Sequence, residues 1–89
     1  MSSQAGQLTP MLSVMDLALN TTDESLRSGF SQFPGLVEAE VRKDSDGYSK
    51  GYGSVTFNTV EEAEAAYDAL DGQKIDDKEV RVLLTKWTA

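Results

Sequence analysis

The amino-acid sequence predicts an α+β fold, a four-stranded antiparallel sheet with two helices on one face, in the order β-α-β-β-α-β. Three observations carry that expectation. Four stretches alternate apolar and polar residues with the period of two of a half-buried strand. Two stretches between them place apolar residues at helical spacing behind a Thr-x-x-Glu start signal. The 89 residues, 39% hydrophobic and without cysteine, suffice for one small core and not for two.

Residues 1–10 (MSSQAGQLTP) are small and polar and read as a disordered tail, leaving residues 11–87 as one domain. Met11 to Leu17 alternates, with Leu12 and Val14 on one side and Ser13 and Met15 on the other. Thr21 with Glu24 has the form of a capping box, and Leu26, Phe30 and Phe33 then recur on one helical face until Pro34-Gly35 ends the helix. Leu36 to Lys43 alternates again, with Val37, Ala39 and Val41 inward and Glu38, Glu40 and Arg42 outward. Asp44-Ser45-Asp46-Gly47 is turn chemistry and joins this strand to a third, from about Lys50 to Asn58. Thr59 and Glu62 form a second capping box ahead of the stripe Ala63, Ala66, Tyr67 and Leu70, which Asp71-Gly72 stops. After a turn at Asp76-Asp77-Lys78, Glu79 to Lys86 makes a last strand with Val80, Val82 and Leu84 inward.

This element order is the ferredoxin-like split βαβ arrangement. Right-handed crossovers put both helices on one sheet face and leave the other open. By alternation the open face carries Ser13 and Met15; Lys50, Tyr52, Ser54 and Thr56; Arg81, Leu83 and Thr85; and, from the edge strand, Glu38, Glu40 and Arg42.

Composition narrows the chemistry. With no cysteine and no histidine, the usual zinc ligands and the His-dependent nucleophile arrangements are excluded. Asp44-Ser45-Asp46-Gly47 lacks the remaining ligands of a calcium loop, so no metal or cofactor is expected. Nothing in the pattern sets two carboxylates in one apolar pocket, and no enzyme is expected. The start of the chain has neither a basic nor an apolar run, and no apolar run is long enough to cross a membrane. An intracellular place, nucleus or cytoplasm, is the expectation. The net charge of −7, from 15 acidic and 8 basic residues, by itself argues against a polyanionic ligand.

Against that stands the third strand. Lys50-Gly51-Tyr52-Gly53-Ser54-Val55-Thr56-Phe57 fits the octamer K/R-G-F/Y-G/A-F-V-x-F/Y at seven of eight positions, the free one included. Ser54 stands where an aromatic is expected. Leu12-Ser13-Val14-Met15-Asp16-Leu17 matches a companion hexamer, with Ser13 in its aromatic slot. In this order and spacing the two stretches resemble the RNA recognition motif family, over about residues 11 to 86.

The resemblance implies stacking of bases on aromatics of the two central strands. It points to Tyr52 as the remaining platform, to Lys50 as a phosphate contact, and to Ser13, Ser54, Met15, Arg81, Lys86 and Trp87 as further contacts. Each has a plainer reading beside it. Tyr52 can simply cover the sheet, Lys50 can be a solvated lysine, and Trp87 can be a core or interface anchor. Two missing platforms at about 1–3 kcal/mol each lower affinity by roughly 30- to 10⁴-fold. The expected function is therefore weak recognition of short single-stranded RNA, made useful by a neighbouring RNA-binding domain or a protein partner. The alternative is a protein-interaction domain that docks a partner through its sheet or its acidic helical face. Ser13, Ser54, Glu38, Glu40 and the net charge favour that alternative.

Overall fold

The structure, a computed structural model, describes residues 8–86. Strand β1 spans Leu8–Met15, helix α1 Asp23–Phe30, β2 Leu36–Lys43, β3 Ser49–Phe57 and helix α2 Val60–Leu70. Two short strands, β4 (Lys74–Ile75) and β5 (Lys78–Glu79), precede β6, Arg81–Lys86. The sheet is antiparallel in the order β2-β3-β1-β6. The expected α+β arrangement is therefore the one observed.

Alternation sets the core. Leu12 and Val14 from β1, Val41 from β2, Val55 and Phe57 from β3 and Val82 from β6 are buried with Leu26, Phe30, Ala63, Ala66 and Leu70 from the helices. The rings of Phe30 and Phe57 meet at 6.4 Å between centroids, tilted by 55°, a favoured aromatic geometry. Phe33, Tyr67 and Leu84 are half-buried at the margin of this cluster.

Several boundaries differ from the sequence expectation, each for a physical reason. β1 begins at Leu8, not Met11, so residues 8–10 of the expected tail are strand. Pro10 sits where the β1–β6 register shifts, between Leu8 and Leu12, a place that tolerates a residue without an N–H. The cap of α1 is Thr22, not Thr21. Thr22 Oγ1 accepts from the Ser25 amide at 3.1 Å, and Ser25 Oγ accepts from the Thr22 amide at 2.9 Å. Thr21 is buried instead, and its hydroxyl donates to Asp76 Oδ2 at 2.9 Å. The helix ends at Phe30, so Phe33 lies past its end. Val37 is not inward but 50% exposed. Leu36 pairs with Phe57 and Glu38 with Thr56, so Val37 is an extra residue bulged out of the ladder. The last sheet strand starts at Arg81, and the expected Asp76-Asp77 turn closes the β4–β5 hairpin with φ of 52° and 67°, as a type I′ turn requires. The second capping box is as expected, Thr59 with Glu62.

Both sheet edges are closed by a carboxylate from a helix end. Asp23 Oδ1 accepts the Val41 amide of β2 at 2.7 Å, and Asp71 Oδ1 accepts the Val82 amide of β6 at 3.0 Å. An outward N–H of each edge strand is thus occupied, which blunts edge-to-edge pairing.

Candidate nucleic-acid interface

The open face is built on the two central strands. Ser13 of β1 lies directly opposite Ser54 of β3 and opposite Leu83 of β6. Met15 lies opposite Arg81, Met11 opposite Thr56, and Glu40 opposite Ser54. Tyr52 is 38% exposed, and Met11, Met15 and Leu83 are similarly exposed around it.

Where the two serines stand, the face sinks into a depression of about 230 Å³ lined by Met11, Ser13, Arg42, Tyr52, Gly53, Ser54 and Thr85. Gly53 forms part of its floor. A Cβ there would run into the Glu40 carbonyl oxygen and lie 3.1 Å from Val41 Cα, so only glycine lets β2 and β3 approach this closely. The other octamer glycine has a different task. Gly51 has φ of +83° within an irregular stretch where Lys43 pairs with Ser49 but Val41 pairs with Gly53. Its carbonyl, turned out of that ladder, accepts the Leu17 amide at 2.8 Å. Lys50 is exposed within this bulge, at the start of β3.

Of the residues singled out from the sequence, Ser13, Tyr52 and Ser54 share the depression. Met15 and Arg81 form a neighbouring cross-strand pair. Arg81 Nε stands 4.0 Å from Asp71 Oδ1, a long contact that draws part of its charge to the sheet edge. Lys86 ends β6, with its backbone opposite Leu8. Trp87 lies outside the described residues. Sequence reasoning overlooked Met11, although extending the alternation of positions 13 and 15 by one step reaches it.

Charge is distributed unevenly. The four sheet strands carry five of the chain's eight basic residues (Arg42, Lys43, Lys50, Arg81, Lys86) but two of its fifteen acidic ones, Glu38 and Glu40. Lys43 is turned away from the open face, with Nζ 3.2 Å from Asp23 Oδ1. Asp23 is held below the ordinary aspartate range, first by the Val41 amide; burial opposes this, and the hydrogen bond and charge of Lys43 add to the lowering. Arg42 makes no ion pair among the described residues. Among the described residues no group of three or more His, Cys, Asp or Glu is placed to hold a metal ion.

Two helices behind a four-stranded sheet, with Tyr52 and cations on the uncovered side, define a split βαβ domain with an open sheet face. The chain belongs to the RNA recognition motif family, whose model matches residues 12–81. It is 42% identical over 66 residues to polyadenylate-binding protein 2 of Arabidopsis thaliana, covering 74% of this chain and 10% of that protein. It is 46% identical over 70 residues to glycine-rich RNA-binding protein 1 of Mycosarcoma maydis, covering 78% of this chain and 40% of that one. The chain thus spans less than half the length of these relatives. Among solved structures it resembles the second RRM domain of yeast poly(U)-binding protein (Pub1), with a TM-score of 0.81 and 34% identity over 89% of this chain and 96% of that one.

Proposed function

We propose that this domain binds short single-stranded RNA across its open sheet, weakly when alone. The observation that carries the reading is Tyr52, half-exposed on a central strand with Arg42 beside it in one depression and Lys50 two residues before it. An aromatic platform flanked by cations is what base stacking and phosphate neutralisation need. The names of the relatives, polyadenylate-binding and poly(U)-binding, support it. Ser13, Ser54, Met15 and Arg81 extend the contact surface, and Lys86 and Trp87, next in sequence, are the further contacts the family resemblance implies. Two serines in place of two rings make each domain a weak binder, so neighbouring RNA-binding domains or a protein partner supply the remaining affinity.

The test is an amide-shift titration by NMR with short single-stranded RNAs at low salt. Shifts should gather on Ser13, Lys50, Tyr52 and Ser54 and weaken in Tyr52→Ala. Silence of these amides at millimolar RNA overturns the reading. In that event the exposed apolar side chains Met11, Met15 and Leu83 favour a protein partner on the same face.

A further inference from the structure

The depression on the open face has a chemistry that a stacking platform lacks. Three side chains with aliphatic hydroxyls line it, Ser13, Ser54 and Thr85, together with the phenol of Tyr52 and the guanidinium-bearing Arg42. Ser13 and Ser54 are cross-strand partners, so their hydroxyl groups rise from neighbouring positions. Thr85 Oγ1 is fully buried, and among the described residues it has no hydrogen-bond partner. The main chain of Thr85 is fixed nearby, since its carbonyl accepts from Thr9 Oγ1 at 3.0 Å. Arg42 offers five N–H donors in a rigid fork and accepts nothing, and no carboxylate among the described residues pairs with it.

We propose that this notch takes one guanine, read on its O6/N7 edge by Arg42 and stacked on Tyr52. The proposal rests on the RNA reading above and names the base at its centre. A guanidinium fork is completed by two adjacent acceptors. Guanine presents such a pair at O6 and N7. Adenine presents an amino donor beside N7, which opposes the fork. Uracil separates its two carbonyls by an N–H. Cytosine has adjacent acceptors at O2 and N3, but its single ring covers less of Tyr52 than a purine does. The serine hydroxyls both donate and accept, so they meet the N1–H beside O6. An aromatic at position 13 or 54 would fill this space, so the notch is a consequence of the two serines.

The experiment measures fluorescence anisotropy of four labelled seven-nucleotide RNAs, all uridine except a central U, G, A or C, at several salt concentrations. The central-G RNA should bind at least about fivefold tighter than the other three. Arg42→Ala, at an exposed position and with an amide spectrum recorded to show that the fold is kept, should bring the four RNAs within about twofold of one another. Equal binding of all four RNAs by the unaltered protein overturns the notch and leaves the sheet reading standing. So does an Arg42→Ala variant that weakens all four alike and lowers the salt slope by about one, the behaviour of a phosphate contact. Absence of any binding, with the Tyr52 amide unmoved, overturns both.

Discussion

Replacing Ser13 and Ser54 together by phenylalanine restores a ring to each empty position and, on the proposed reading, should tighten RNA binding. The two residues face each other across β1 and β3, so their Cβ atoms lie about 4.5–5.5 Å apart and the new rings stand side by side. Both serines line the depression of about 230 Å³, while the buried neighbours Leu12, Val14 and Val55 point to the helical side. The rings therefore occupy open space and leave the core unstrained. Each base–aromatic stack contributes about 1–3 kcal/mol. Two contribute about 2–6 kcal/mol, or roughly 30- to 10⁴-fold in Kd. Ser54→Phe alone should give the square root of that gain. Fluorescence anisotropy with a labelled oligouridine at fixed low salt measures it, and a denaturant titration shows that the fold is kept. A folded double variant whose affinity rises by less than about twofold would refute the claim that these two positions are lost platforms. The same variant fills the notch, so any preference for a central guanine should vanish as overall affinity rises.

The remaining predictions concern the scaffold. Gly53→Ala drives a methyl group into the β2 backbone at Glu40 and Val41 and should cost about 1–3 kcal/mol, read as a lower urea midpoint with an unchanged m-value. Thr22→Ala removes the true cap of α1 and should cost about 1 kcal/mol in the same assay; a loss below about 0.2 kcal/mol would show that the box does not hold the helix. Asp23→Asn addresses acid stability. The carboxylate is held below its ordinary range by the Val41 amide and Lys43, so its stabilisation is complete above the unfolded pKa and is lost as pH falls through the lower folded one. Urea titrations between pH 5 and pH 2 should show a shallower acid limb in the variant. Because the side chain is 50% exposed, the difference should stay under about 1 kcal/mol.

The architecture was legible because every sheet strand buries one face only, so alternation marks both the strand and its direction. Leu12 and Val14, Val55 and Phe57, and Val82 fall inward as the period of two demands. What escaped was decided by contacts far along the chain. Thr21-x-x-Glu24 is the better start signal locally; Thr22 nonetheless caps the helix, while Thr21 is drawn inward to Asp76, 55 residues away. The bulge at Val37 has no local mark, since Leu36 and Val37 are both apolar and either could take the inward place. The site shows the same division. Alternation put Ser13, Tyr52, Ser54, Arg42 and Thr85 on one face, but not the hollow they enclose, which depends on Gly53 bringing β2 against β3. The octamer motif likewise names both glycines without separating a backbone turned to φ of +83° from a site of close strand approach.

The net charge of −7 and the proposed RNA-binding sheet are compatible because the two belong to different layers. The exposed carboxylates of Glu61 and Asp68 on α2 and of Glu24 on α1 stand behind the sheet. A helix is about 10–12 Å across with its side chains, which exceeds the screening length of about 8 Å at physiological ionic strength. A phosphate bound on the open face would therefore respond chiefly to Lys50 and Arg81 there, with Glu38 and Glu40 opposing them at one edge. The acidic layer acts at longer range, as a field that grows when salt is removed. It weakens encounter with loosely held RNA at low ionic strength and leaves seated contacts largely untouched. On the proposed reading, selectivity then depends on the short-range groups around Tyr52, because these alone are close enough to outweigh the charge of the whole domain.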